Sequence, residues 1–192
     1  VTNANLAAGS QVWTDITGPA FVGSGSDVEF GATENEIFVT MHNYGVTSIW
    51  YTANGTSATP TWVSKEGNLP DLPVKCILQN PLRPEEVIIG TDLGVWYTNT
   101  FNTASPVWNQ SYNGMSNVKV PDMDLRNDNK VFAATYGRGI FSGSFTNTVL
   151  SNEDIAALKG IRIYPNPSNG VLNISLANHS SQIVYHVFYP EI

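Results

Sequence analysis

Aromatic, amide and charged side chains gather at short turn-like segments of the chain, where they could form a binding surface. Aromatic faces pack against apolar faces of a ligand, while amides and charged groups form hydrogen bonds with its polar atoms. This combination is typical of sites that recognise sugars or peptides. We therefore predict a ligand-binding surface made of His42, Asn43, Tyr44, Asp92, Tyr136 and Arg138. The alternative interpretation is that these are ordinary turn residues.

Carboxylates would have to carry any hydrolytic chemistry on a glycan. Glycoside hydrolysis needs two carboxyl groups about 5–10 Å apart. Asp92, Glu34 and Asp124 are available, but no spacing in the sequence pairs them. The arginines are also dispersed in the sequence. No arginine cluster is therefore predicted that could bind the carboxylate of an acidic sugar. No catalytic residue is assigned from the sequence.

The acidic segment 122–129 does not have the spacing of a calcium loop. An EF-hand loop needs a glycine at its sixth position and a glutamate at its twelfth, and this segment has neither. A polar hairpin turn at 126–129 is the preferred interpretation. The histidines are too dispersed to propose zinc: they are His42, His179 and His186. We expect no metal and no cofactor.

Composition narrows the class of protein. The chain has 192 residues and a net charge of −7, with only nine lysines and arginines, which are scattered. Nucleic acids are therefore not expected as partners, because phosphate binding needs clustered basic side chains. No apolar run approaches the length of a membrane helix. The single cysteine, Cys76, lies in an apolar run, which favours a buried, unreactive thiol over a nucleophile.

A repeat of about 46 residues organises most of the chain. Trp13, Trp62 and Trp108 are 49 and 46 residues apart, while Trp50, Trp96 and Phe141 are 46 and 45 apart. Each unit contains short runs rich in valine, isoleucine and aromatics, bounded by glycine, asparagine, aspartate and proline, which indicate strands and turns. Four short antiparallel strands in a repeat of this length are typical of a β-propeller blade.

The strands of the repeat can be placed from these runs. First strands are predicted at 28–30, 74–78 and 118–124, and second strands at 37–41, 87–91 and 131–135. Third strands are predicted at 48–52, 95–98 and 140–142, and fourth strands at 61–64 and 107–110. In this arrangement the second-to-third and fourth-to-first loops share one face of the blades. That face also carries Lys65, Glu66, Asn68, Tyr112 and Asn113.

The third unit lacks a fourth strand, since a tryptophan expected near position 154 is absent. Many propellers close by borrowing that strand from the N-terminal part of the domain, and closure needs about four to eight blades. We therefore expect at least one more blade before Val1 and assign Trp13 to it. The chain is predicted to be the C-terminal part of a longer protein.

The repeat resembles the BNR and sortilin-like propeller family, which includes some sialidases and xyloglucanases. The resemblance covers residues 11–145 and is strongest in the sequence LQNPLRPEEVIIGTDLGVWYT at 78–98, with ATYGRGIF at 134–141 as a second match. The family's Asp box survives in outline at 51–62, with Asn54-Gly55 near its Asp-x-Gly position. That motif stabilises the fold and is not catalytic, so the resemblance implies a fold and assigns no activity.

The segment IRIYPNPSNGVLNISL at 161–176 resembles the type A C-terminal sorting domain of the type IX secretion system of Gram-negative bacteria. The matching residues are Tyr164, Pro165, Asn166, Pro167, Gly170, Leu172 and Ile174. Two strands joined by a turn are predicted here, with a third at 182–188. The family continues for several more strands, so this sorting domain is expected to be incomplete.

The sequence thus predicts an all-β protein: about three four-stranded blades of a larger β-propeller at 1–145, a linker at 146–160, and a partial β-sandwich sorting domain at 161–192. The predicted function is that of an exported or cell-surface module that binds a glycan or a protein. The type IX secretion machinery is its predicted partner. The alternative is a glycoside hydrolase whose catalytic residues lie largely upstream.

Overall fold

The computed structural model describes residues 12–111, 114–115 and 117–147, together with the backbone of three strands between 161 and 186. The chain divides into two compact units, Val1–Asn147 and Thr148–Ile192. Every regular element in the described residues is a β-strand. The all-β class predicted from the sequence is therefore confirmed.

The first unit contains three antiparallel sheets that follow one another along the chain. Blade 1 consists of β1 (Gly25–Phe30), β2 (Ile37–Met41), β3 (Ile49–Thr52) and β4 (Val63–Ser64). Blade 2 consists of β5 (Val74–Gln79), β6 (Val87–Thr91), β7 (Gly94–Thr98) and β8 (Asn109–Gln110). Blade 3 consists of β9 (Asp122–Leu125), β10 (Lys130–Thr135) and β11 (Gly139–Ser144). In each blade, strands pair in chain order.

Each of these elements overlaps a predicted strand, and the largest shift in a starting residue is at β9. That strand was predicted from Val118 but begins at Asp122. The preceding residues bond to blade 2 instead: the Gly94 N–H donates to the Val118 carbonyl at 2.9 Å, and the Val120 N–H donates to the Thr91 carbonyl at 2.9 Å. Residues 118–120 therefore join two blades before the chain enters blade 3.

The first strands of the blades lie side by side and are the innermost. Contacts between blades involve β1 with β5 and β5 with β9. The Ser26 hydroxyl donates to the Val74 carbonyl at 2.6 Å, and the Ile77 N–H donates to Asp27 Oδ2 at 3.0 Å. These bonds tie β1 to β5 in addition to the apolar packing between the sheets.

Both faces of the middle strands are covered, which explains why their sequences do not alternate between apolar and polar residues. All five residues of β2 are buried. Phe38 packs toward blade 2, whereas Ile37, Val39 and Met41 pack with Trp50 on the opposite face. A third apolar cluster lies between blades 2 and 3 and includes Cys76. Face-to-face packing of sheets requires apolar residues on both sides of each one.

The second unit contains one described sheet with strand order β12 (Ile161–Tyr164), β13 (Val171–Leu176) and β14 (Ile183–His186). All neighbouring pairs are antiparallel. The three predicted strands are present. The segment that joins the first two strands lies outside the described residues, and it includes the predicted turn at 168–170 as well as Pro165, Asn166 and Pro167.

Candidate functional site

The loops after the second strands share one face with the segments that enter the next blade, as predicted. We define the loop face as residues 42–48, 65–73, 92–93, 117–121 and 136–138. Three hydrogen bonds bring these segments together. The Gly45 N–H donates to Asp71 Oδ1 at 2.6 Å, the Gly94 N–H donates to the Val118 carbonyl at 2.9 Å, and the Tyr136 N–H donates to the Lys119 carbonyl at 2.9 Å.

Four of the predicted ligand-binding residues present exposed side chains on this face. Tyr44 is 63% exposed and Tyr136 is 80% exposed. His42 and Arg138 are exposed beside them in sequence. Blades 1 and 3 therefore each present an aromatic ring and a polar or charged side chain to solvent on the same face.

Asn43 and Asp92 are more constrained than the other four. Asn43 Oδ1 accepts a hydrogen bond from the Ser24 N–H at 2.7 Å and so fixes the start of blade 1. Asp92 Oδ1 lies 3.6 Å from Lys75 Nζ and 3.4 Å from Lys119 Nζ. Two ammonium groups therefore flank one partly buried carboxylate, so this cluster carries a net positive charge. In sequence, Asp92 lies between the exposed residues Tyr44 and Tyr136.

Three other residues predicted for this face form hydrogen bonds with backbone groups instead. Lys65 is only 8% exposed, and its Nζ donates to the carbonyls of Phe101 at 2.9 Å and Thr103 at 2.8 Å. Burial lowers the pKa of Lys65. The prediction that Lys65 belongs to the binding surface is wrong, because its long side chain turns inward to satisfy backbone carbonyls.

Glu66 and Asn68 have similar structural roles. Glu66 Oε2 accepts the Ser48 N–H at 2.5 Å, and burial, with a smaller contribution from Asp71, raises the pKa of Glu66. Asn68 Oδ1 accepts the Trp108 N–H at 2.5 Å, while its amide donates to the Trp108 carbonyl. The predicted residues Tyr112 and Asn113 lie outside the described residues.

The innermost strands carry an acidic strip that sequence reasoning missed. Asp27 and Glu29 occupy alternate positions of β1, and Asp122 and Asp124 occupy alternate positions of β9. Burial raises the pKa of Asp27, and the charge of Asp122 adds to this. Burial also raises the pKa of Glu29, with contributions from Asp27, Asp124 and Asp122. The sequence does contain a pattern that predicts this strip: acidic residues at i and i+2, which lie on one face of a strand.

The Asn54 turn has a structural role. Asn54 Oδ1 accepts hydrogen bonds from the Thr52 hydroxyl and from the Thr61 N–H, both at 2.8 Å. Thr100 does the same at the equivalent point of blade 2, where its hydroxyl accepts the Val107 N–H at 2.9 Å. In both blades a short polar side chain therefore holds the connection between the third and fourth strands.

Within the described part of the chain, no three histidine, cysteine, aspartate or glutamate side chains are arranged to hold a metal ion. The 126–129 segment forms the predicted hairpin turn, in which the Asn129 N–H donates to the Arg126 carbonyl at 2.9 Å. The same residues include no helix with the length and hydropathy needed to cross a membrane.

Comparison with known proteins bears on the fold alone. No protein-family model matches the chain, and no curated protein is significantly similar to it. The β-propeller domain of Cps50 (Swd1) from Myceliophteria thermophila aligns with a TM-score of 0.53 at 10% identity, over 89% of this chain and 63% of that one.

Two further solved structures align at lower TM-scores. An ancestral GH74 enzyme aligns at 0.48 with 16% identity, over 92% of this chain and 20% of that one. PorZ, a surface component of the type IX secretion system of Porphyromonas gingivalis, aligns at 0.46 with 17% identity, over 79% and 24%. The chain spans less than two thirds of the length of each of these three structures.

These findings define the first unit as part of a β-propeller. Consecutive four-stranded antiparallel sheets with adjacent innermost strands are the architecture of that class. Within it, the chain supplies two complete blades and a third that has three strands in the described residues.

Proposed function

We propose that this chain belongs to an exported β-propeller protein that binds a glycan or a protein through the loop face. The observation that carries the proposal is the exposure of Tyr44 and Tyr136, at 63% and 80%, on the same face of different blades. Neither ring belongs to the buried clusters of the unit. Two large aromatic side chains left in solvent are available to pack on a ligand.

The groups around these rings suit a polar ligand with apolar faces. A sugar ring or a peptide side chain can stack on tyrosine, whose hydroxyl remains free to form hydrogen bonds. His42 and Arg138 supply further donors next to the two tyrosines. Lys75 and Lys119 flank Asp92 and favour ligands that carry a carboxylate or another anionic group.

A glycan array and a protein pull-down with the full chain test this proposal. The double variant Tyr44→Ala, Tyr136→Ala should lose at least about fivefold in affinity, because each stacked aromatic contributes roughly 0.5–1.5 kcal/mol. Tyr97→Ala is the matched control, since Tyr97 is an exposed aromatic on β7 outside the loop face. If neither screen detects binding and the protein hydrolyses a polysaccharide, binding is not the function.

Glycoside hydrolysis is the second candidate, and the acidic strip is the observation in its favour. A glycosidase needs one carboxyl group that is protonated near neutral pH and a second that is ionised. Burial already raises the pKa of Asp27 and Glu29, and both interact with the charges on β9. The strip lies on β1 and β9, which are first strands of their blades, and Asp122 and Asp124 are exposed.

Hydrolysis of a panel of polysaccharides by Glu29→Gln and by Glu34→Gln distinguishes the enzyme from the binding module. Glu34 is an exposed carboxylate in the loop between β1 and β2 and serves as the control. If the strip is catalytic, Glu29→Gln should lower the rate by at least about 100-fold, the usual contribution of a general acid. Equal rates for both variants would rule out a catalytic role for Glu29.

We further propose that the second unit directs export through the type IX secretion system. The sequence from Tyr164 to Ile174 is the basis of this proposal, and the hairpin of β12 and β13 is consistent with it. Expression of the full chain in a bacterium that has this system, followed by protease treatment of intact cells, provides the test. Replacement of Pro165, Asn166 and Pro167 by alanine should abolish surface exposure. Unchanged exposure would contradict the proposal.

A further inference from the structure

The loop that carries Tyr44 is longer than its counterparts in the other two blades. It has seven residues, 42–48, whereas the loop between β6 and β7 has two, 92–93, and the loop between β10 and β11 has three, 136–138. Among the contacts of the described residues, no backbone hydrogen bond joins residues 42–47 to one another. The two strands at its ends therefore do not by themselves fix the position of the Tyr44 ring.

A threonine closes each of the two short loops. The Thr91 hydroxyl donates to the Gly94 carbonyl at 2.8 Å, and the Thr135 hydroxyl donates to the Gly139 carbonyl at 2.6 Å. Met41 is the last residue of β2, as the two threonines are the last residues of β6 and β10. Because methionine has no hydroxyl group, the long loop of blade 1 cannot be closed in the same way.

The segment that enters blade 2 holds this loop instead. Asp71 Oδ1 accepts the N–H of Gly45, the residue after Tyr44, at 2.6 Å. Glu66 Oε2 accepts the Ser48 N–H at 2.5 Å, where the loop enters β3. Hydrogen bonds to a carboxylate are stronger than those between neutral groups. Two carboxylates from one connection thus bind the middle and the end of the loop.

Asp71 stands on a rigid part of that connection. It lies between Pro70 and Pro73, whose rings restrict the backbone φ angle. The residue after it, Leu72, is buried, and the Leu72 carbonyl accepts the Ser48 hydroxyl at 3.0 Å. Asp71 itself is exposed. Its replacement should therefore remove the bond to the loop without opening a cavity in the core.

We propose that Asp71 is a positioning residue for glycan binding, which holds the Gly45 amide and thereby keeps the Tyr44 ring in place on the loop face. This role rests on the proposed binding function. The peptide unit between Tyr44 and Gly45 is planar, so a bond to the Gly45 N–H also restrains the backbone of the tyrosine. A ring that is already restrained loses less conformational entropy when a sugar stacks on it, which increases affinity.

A double-mutant cycle on the glycan array tests this role. Asp71→Ala should weaken glycan binding at least about fivefold, because a hydrogen bond to a charged group is worth more than this factor. In the Tyr44→Ala background the same replacement should change binding by less than about twofold, since no ring is left to position. An equal loss in both backgrounds, which a general structural role would produce, or no loss in either would overturn the proposal.

Asp71→Asn separates the hydrogen bond from the charge. The amide oxygen of asparagine can still accept the Gly45 N–H, so this variant should bind glycans within about twofold of wild type. Asp128→Ala is the matched control and should bind like wild type. Asp128 is also an exposed carboxylate that accepts a backbone N–H, that of Lys130 at 3.4 Å, but it lies outside the loop face. Equal losses in Asp71→Asn and Asp71→Ala would overturn the positioning role.

Amide hydrogen exchange measured by NMR tests the same bond without a ligand. The Gly45 amide should exchange at least about tenfold faster in Asp71→Ala than in wild type, whereas Asp71→Asn should keep most of the protection. A Gly45 amide that is unprotected in wild type would overturn the proposal even if the chain binds glycans. A protected amide in a wild-type chain that binds no glycan on the array would overturn it through the failure of glycan binding itself, so the two failures are distinguishable.

Discussion

At the scale of single residues, Cys76 shows how burial determines chemistry. The thiol is 2% exposed and unpaired in a disulfide, as the sequence predicted. Burial raises the pKa of Cys76 to about 12, with a smaller contribution from the charge of Asp27. Because the thiolate is the nucleophile, a buried thiol with such a pKa is inert.

We therefore expect no reaction of Cys76 with a disulfide reagent such as DTNB at pH 8 in the native protein. One thiol per chain should react after unfolding in urea. Following absorbance with and without urea measures both. Rapid, complete modification of the folded chain would show that the thiol is accessible and would contradict its placement between blades 2 and 3.

The carboxylates of the acidic strip make a pH-dependent contribution to stability. Burial raises the pKa of Glu29 above its ordinary value of 4.5. The folded state therefore binds this proton more tightly than the unfolded state. The stabilisation is fully present below the ordinary pKa and is lost as the pH rises through the raised value.

Glu29→Gln should remove this dependence. Relative to wild type, the variant should gain unfolding free energy as the pH rises above the ordinary carboxyl pKa of 4.5 and through the raised pKa of Glu29. Urea unfolding at several pH values measures the difference, and Glu34→Gln gives the background from an exposed carboxylate. A constant difference between Glu29→Gln and wild type at all pH values would contradict the raised pKa.

At the scale of elements, the connections between strands also join neighbouring blades. The segment between β4 and β5 passes directly over the segment between β7 and β8. Gly67 has φ = +56°, and a Cβ there would overlap the backbone carbonyl of Pro106. Lys65 and Asn68 bond to the same segment of blade 2. Glycine at 67 permits this close approach.

Gly67→Ala should lower the unfolding free energy by more than about 2 kcal/mol, because a positive φ alone costs roughly 1–2 kcal/mol for a residue with a Cβ and the clash adds to it. Gly45→Ala is the matched control. Gly45 has φ = +71°, but a Cβ there meets nothing within 4 Å. Chemical denaturation of both variants measures the difference. If both variants lose the same unfolding free energy, the contact between residue 67 and the Pro106 backbone adds no cost.

At the scale of the whole molecule, the chain consists of two compact units, Val1–Asn147 and Thr148–Ile192. Within the described residues, the buried clusters of the propeller unit lie between Ile37 and Phe145. A shortened chain that ends at Asn147 should therefore unfold within about 2 °C of the first transition of the full chain, since a larger shift would correspond to about 1 kcal/mol or more. Calorimetry of both chains at equal concentration tests this.

The sequence by itself determined the strands and their order. Apolar runs separated by turn residues recur every 46 residues or so, and hydrogen bonding between neighbouring runs follows from that local pattern. It also placed Tyr44 and Tyr136 on exposed turns, since their segments connect consecutive strands. These features depend on short stretches of chain, which is why residue type and spacing were sufficient.

Only the tertiary structure decided which polar side chains face solvent and which face another blade. Lys65 was predicted at a surface but bonds to carbonyls of blade 2, and Asp27 meets the charge of Asp122, which is almost one hundred residues away. A cavity lined by Val95 of blade 2 and Phe141 of blade 3 likewise depends on the packing of two sheets. Such contacts join residues that are distant in sequence, and their positions follow from how the blades pack rather than from the pattern within any one of them.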